Sequence, residues 1–160
     1  MDVVTERPTA PPYHAYATIT GVFVAALALS GGIARLLGRD PRKQTWLDLA
    51  TLSAATFKAS RTIARDDVTR FLREPFVERD PRDSEDEHPV QTGGMEQAIG
   101  ELVTCSRCVG TWVAAGLATT QVLAPRFGRM LTWTLAGAGI NDLLQAGFTA
   151  LTRKANELER

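Results

Sequence analysis

The chain has 160 residues, enough for one domain. Its 18 Lys and Arg balance 18 Asp and Glu, so net charge offers a nucleic-acid partner no electrostatic footprint. Two cysteines exclude a disulfide-framework fold. No P-loop, GxSxG, HExxH or dinucleotide-binding fingerprint is present, so an enzyme is the less favoured class.

Overall hydropathy is that of a soluble protein, but the average hides a segregation. Charges gather in residues 35 to 107 and at the two ends, while apolar residues fall in long runs. That pattern marks a membrane protein, because about 20 apolar residues cross the hydrocarbon core.

Residues 1 to 12, with three prolines and no periodicity, read as a disordered tail. A single helical membrane domain is expected over 13 to 154. Its first span, Ala15 to Ala34, is uncharged and begins near Tyr13 and Tyr16, which suit the interface. Ala17, Gly21, Ala25, Ala28 and Gly32 recur at spacings that let helices approach closely in lipid. A cleaved signal peptide is the competing reading, but Asp2 and Glu6 stand where basic residues belong.

Trp46 to Arg65 is helical. Trp46, Leu49, Leu52, Thr56, Ala59 and Ile63 share one face. Lys58, Arg61 and Arg65 share the other, so the segment reads as an amphipathic helix in the membrane surface with cations towards lipid phosphates or another anion. A full span would bury Asp48, Lys58 and Arg61, each costing about 2.5–3.5 kcal/mol near the bilayer centre. A re-entrant helix is the alternative. Residues 66 to 76 continue as a polar helix that Pro75 ends.

The stretch 77 to 94 is acidic and proline-punctuated, and reads as a disordered loop. Met95, Ile99, Leu102 and Val103 give a short amphipathic helix leading into Cys105 and Cys108. A span is expected over 108 to 124, a tight turn at Pro125 to Arg129, and a third span over 130 to 151. Residues 155 to 160 form a tail. The fold class is therefore all-α, with three transmembrane helices and one interfacial or re-entrant helix. Cations orient it: with residues 35 to 107 and the C-terminus cytoplasmic and the N-terminus outside, only Arg7, Arg126 and Arg129 lie outside.

Certain blocks resemble a family. They are Phe57-Lys58-Ala59-Ser60-Arg61-Thr62-Ile63-Ala64-Arg65-Asp66, Phe71-Leu72-Arg73-Glu74-Pro75-Phe76, and Ile99 to Trp112 with its Thr104-Cys105-Ser106-Arg107-Cys108. Leu123-Ala124-Pro125-Arg126 and Asn141-Asp142-Leu143-Leu144-Gln145 complete the set. In order and content they resemble the domain-of-unknown-function family 1360, small bacterial membrane proteins that include a Bacillus sporulation protein. Members often carry proline where this chain has Ser106. The resemblance implies a multi-pass protein of the bacterial plasma membrane and supplies no activity.

Three groups are candidate sites. At a helix N-terminus, Cys105 and Cys108 are placed for thiol chemistry. They also supply two of the four ligands of a structural zinc, which a symmetric homodimer would complete as zinc shared between two chains. His88 is a further candidate ligand, and plain packing is the bland alternative. Asp142, with Asn141 and Gln145, is an intramembrane polar group that reads as an ion relay or as a polar seam between helices. Lys58, Arg61 and Arg65 read as head-group contacts or as topology determinants. Trp46, Trp112 and Trp133 read as interfacial or packing aromatics. The reading overall is a membrane interaction or scaffold protein, with the lipid bilayer and a second copy or another membrane protein as partners. A membrane thiol redox protein and a small transporter subunit are the alternatives.

Overall fold

The computed structural model describes residues 11–39, 44–80 and 83–158. The first helix, α1 (Tyr13–Leu36), starts just after Pro11 and Pro12, which suit a helix entrance because proline fixes φ and has no N–H to leave unpaired. It stops at Gly38, whose φ of 64° is the left-handed conformation that glycine adopts without strain. The Gly38 N–H donates to the Arg35 carbonyl at 3.1 Å and the Arg39 N–H to that of Ala34 at 2.8 Å, closing the helix end.

Helix α2 (Trp46–Arg65) opens with a capping box. The Asp48 N–H donates to Thr45 Oγ1 at 3.3 Å, and the Thr45 N–H donates to Asp48 Oδ2 at 2.8 Å. A 3₁₀ turn, the short α3 (Arg70–Arg73) and a second 3₁₀ turn follow. Next comes an antiparallel hairpin, β1 (Val77–Asp80) with β2 (Asp83–Pro89), pairing Val77 with Pro89 and Glu78 with His88. Then come α4 (Met95–Thr104), α5 (Ser106–Leu123) and α6 (Pro125–Leu158).

The contacts fix the helix directions. Beside α5, α1 runs parallel: Phe23 meets Trp112 edge-on at 5.0 Å, and Leu27, Ser30 and Ala34 line one groove with Ala115, Thr119 and Val122. Helix α2 runs antiparallel to α5, with Ser60 against Gly110 at one end and Thr51 near Gln121 at the other. Helices α5 and α6 form a tight pair. A Cβ on Gly128 would lie 2.5 Å from the Gln121 nitrogen, and Gln121 Nε2 donates to the buried Thr132 at 2.9 Å. At Gly139, α6 comes so near α2 that a Cβ would lie 2.9 Å from the Ala54 carbonyl oxygen. Ala55, Leu117 and Ala136 are the centre of this packing, with Leu52, Val113 and Leu135 around them.

One end of the bundle therefore holds the start of α1, the hairpin, α4 and the cysteine pair. The other holds the end of α1, the start of α2 and the α5–α6 turn. A hydrogen-bonded chain ties α1 to the first end: the Gly93 N–H donates to Gln97, Gln97 to Glu101, and the Tyr16 hydroxyl also to Glu101.

Four sequence expectations change. The segment 46–65 is helical as expected, but it does not lie across the ends of the other helices. It runs beside α5 and α6, because Ala55, Ser60 and Ala64 are small enough to bury against them. Leu36 and Cys105 therefore stand at opposite ends, and residues 35 to 107 do not share one side of the bundle. The stretch read as disordered loop 77–94 contains the hairpin. Charges hid its strand pattern, and α4 supports it where Gly100 packs against the Phe76 carbonyl and Pro89. Helix α6 begins at Pro125 and runs through Leu158, absorbing both the turn and most of the tail expected at 155–160. Among the described residues one helix, α1, is long and apolar enough by composition to cross a membrane. Threonines and Gln121 in α5, and Asn141, Asp142 and Gln145 in α6, dilute the other two segments expected to span. Most of the expected tail at 1–12 lies outside the described residues.

Candidate functional site

Cys105 is the N-cap of α5 and Cys108 sits in its first turn. Both thiols are free. The Cys108 N–H donates to Cys105 Sγ at 3.3 Å, and the Cys108 thiol donates to the same sulfur. This sulfur replaces the oxygen that usually caps a helix. The Cys108 thiol above all, then the Cys108 and Arg107 backbone N–H groups and the Arg107 charge, hold Cys105 below the usual thiol range; burial opposes them. Stabilised thiolate is what nucleophilic thiols need. No group of three His, Cys, Asp or Glu side chains among the described residues could hold a metal ion. A structural zinc centre on this pair would need two further ligands.

Asp142 has a partner that sequence reasoning missed. Lys58 Nζ donates to Asp142 Oδ2 at 2.8 Å, joining α2 to α6. Asn141 and Gln145 do not join them: both are exposed. The polar residues of α6 thus divide between an inward ion pair and an outward pair of amides.

The expected cation stripe divides as well. Lys58 turns to α6. Arg61 lines a groove between α2 and α5 with Arg107. Arg65 lies in a separate cleft with Asp67, Arg70 and Arg73. Helical spacing put all three on one side of α2, but neighbouring helices gave each different surroundings.

Arg73 was not singled out by sequence. It is almost wholly buried, and its Nε pairs with Glu87 Oε2 at 2.8 Å. Its Nη1 donates to the Ile63 carbonyl at 2.7 Å, the Asp66 carbonyl at 3.1 Å and Thr69 Oγ1 at 3.1 Å. One guanidinium thereby satisfies the end of α2, the turn after it and the hairpin. No local pattern marks it, because its partners lie up to 14 residues away in sequence.

Comparison with known proteins bears on the same region. The family described as "Protein of unknown function (DUF1360)" matches residues 51–148. Sporulation protein YjcA of Bacillus subtilis (strain 168) is 31% identical over 104 residues, 62% of this chain and 88% of that protein. UPF0713 protein YngL of the same organism is 25% identical over 101 residues, 63% of this chain and 78% of that protein. No solved structure matches significantly. The match runs from within α2, through the arginine knot and cysteine pair, to within α6, and the chain belongs to the DUF1360 family.

Proposed function

We propose that this protein is a multi-pass membrane scaffold, with α1, α2, α5 and α6 crossing the bilayer. One observation carries the reading: the helices turn large apolar side chains outward and small ones inward. On α6, Leu143, Leu144, Phe148 and Leu151 are exposed while Gly128, Thr132, Ala136 and Gly139 are buried. On α2, Trp46, Leu49 and Phe57 face out while Ala55, Ser60 and Ala64 face in. Water would drive the large residues inward. Lipid gives them no such drive, and helices there associate through small residues. An exposed apolar surface of this extent marks a membrane or partner face.

The charges counted against a span of α2 have local answers. Asp48 is in the capping box at the helix start, Lys58 is paired with Asp142, and Arg61 lies near the far end. Helix α2 is 20 residues long, about 30 Å, which matches the hydrocarbon core. On this reading Arg61, Arg65, Arg70, Arg107, Arg153 and Lys154 gather at the end holding the cysteine pair. Arg35, Arg39, Arg126 and Arg129 gather at the other, and Arg42 and Lys43 fall in sequence between α1 and α2; the stretch from Arg61 to Arg107 carries seven arginines in all. The positive-inside rule makes the cysteine end cytoplasmic. The start of α1 then lies inside too, opposite to the orientation drawn from sequence.

Alkaline carbonate extraction tests the reading. The protein should stay with the membrane pellet, and recovery in the supernatant would reject it. A second reading, a membrane thiol redox protein, is favoured by the thiolate-stabilising contacts at Cys105. Such a pair would reduce a partner's disulfide as Cys105 and Cys108 became oxidised to their own. It requires Cys105 to alkylate at neutral pH clearly faster than in the unfolded chain; equal rates exclude it.

A further inference from the structure

The groove between α2 and α5 has two unlike parts. Arg61 and Arg107 stand at the cysteine end of its lining, and both side chains are exposed. Below them the walls are mostly apolar, with Leu49, Leu52, Phe57 and Ala114. The groove is open, with a volume of about 740 Å³. It opens beside Ser106 and Arg107 at the start of α5. The buried Oγ1 of Thr56 has no hydrogen-bond partner, and Thr56 lines this groove.

We propose that this groove binds an anionic phospholipid of the bilayer, its phosphate on Arg61 and Arg107 and an acyl chain along Leu49, Leu52 and Phe57. The match is one of charge and depth. Two guanidiniums suit a phosphate oxyanion, and they lie where the membrane reading puts the cytoplasmic head-group layer. The apolar walls continue into the hydrocarbon region, where a free phosphate would leave them uncovered. The proposal rests on the membrane reading of the bundle.

The test is native mass spectrometry of the full chain in detergent, titrated with phosphatidylglycerol, with phosphatidylcholine and with inorganic phosphate. Phosphatidylglycerol should be retained well above phosphatidylcholine. The R61Q/R107Q variant should weaken that retention roughly tenfold or more, since each cation near an anionic surface contributes. Phosphatidylcholine retention should not change, and an R153Q/K154Q control should bind as wild type. Both arginines are exposed, so their replacement leaves the packing of α2 and α5 in place. Equal retention of the two lipids, or unchanged phosphatidylglycerol binding by R61Q/R107Q, overturns the proposal. So does inorganic phosphate displacing the lipid, which would assign the arginines to a soluble phosphate ligand. Carbonate extraction keeps the two readings apart: a chain that stays in the membrane but shows no lipid preference refutes the groove alone.

Discussion

Two ion pairs of equal length hold different parts of this molecule. Lys58–Asp142 and Arg73–Glu87 both measure 2.8 Å. Lys58 and Asp142 are a simple pair between two helix sides, with side chains 24% and 40% exposed. Arg73 is 2% exposed, and its guanidinium also serves two carbonyls and a hydroxyl. On the membrane reading, the first pair neutralises two charges that the bundle would otherwise expose to lipid. The second is a junction of three chain segments. Distance alone does not rank ion pairs; the other groups depending on the same side chain do.

Substitutions should separate the two. Arg73→Met should have the largest effect, a loss of about 3–5 kcal/mol, because it removes a buried guanidinium that pairs with Glu87 and donates to the Ile63 and Asp66 carbonyls and to Thr69. Thermal unfolding in detergent would read this as a large fall in midpoint. The R73M/E87L double variant should recover little, since the guanidinium's bonds to the two carbonyls and to Thr69 stay lost.

Lys58→Met should cost roughly 1–3 kcal/mol by leaving one carboxylate unpaired between helices. Here K58M/D142L should recover most of the loss, because among the described residues no third group is bonded to either side chain. Recovery in both double variants, or in neither, would erase the distinction. A relay centred on Asp142 would instead show function lost in D142N with unfolding unchanged.

Smallest of all should be the cysteine pair. Cys105→Ser keeps a capping atom at the α5 start, so stability should move by no more than about 0.5 kcal/mol. On the scaffold reading both C105S and C108S should retain function. Loss of function from either, with unfolding unchanged, would transfer the weight to thiol chemistry.

Local signals in the sequence were legible. Both bounds of α2 were read correctly, from Trp46 to Arg65, because its pattern and charges are periodic. The cysteine pair was found because its spacing is short. What failed was long-range. Lys58 lies 84 residues from Asp142, and nothing local to either names the other. The apolar face of α2 was recognised, but its direction was not, since amphipathicity does not say whether lipid or protein covers it. The hairpin was missed because its strands are rich in charge; burial of Arg73 against Glu87 and packing on α4 supply what strand propensity does not.

The central claim is that α2 crosses the membrane beside α6, placing Leu37 and Cys105 on opposite sides. Single-cysteine chains would test it with a membrane-impermeant maleimide on intact cells. One carries Leu37→Cys with both native cysteines replaced by serine, and the other keeps Cys105 alone. The account predicts that the cysteine at position 37 labels in intact cells and that Cys105 labels only after permeabilisation. Labelling of both from the same side would contradict it and return α2 to the membrane surface.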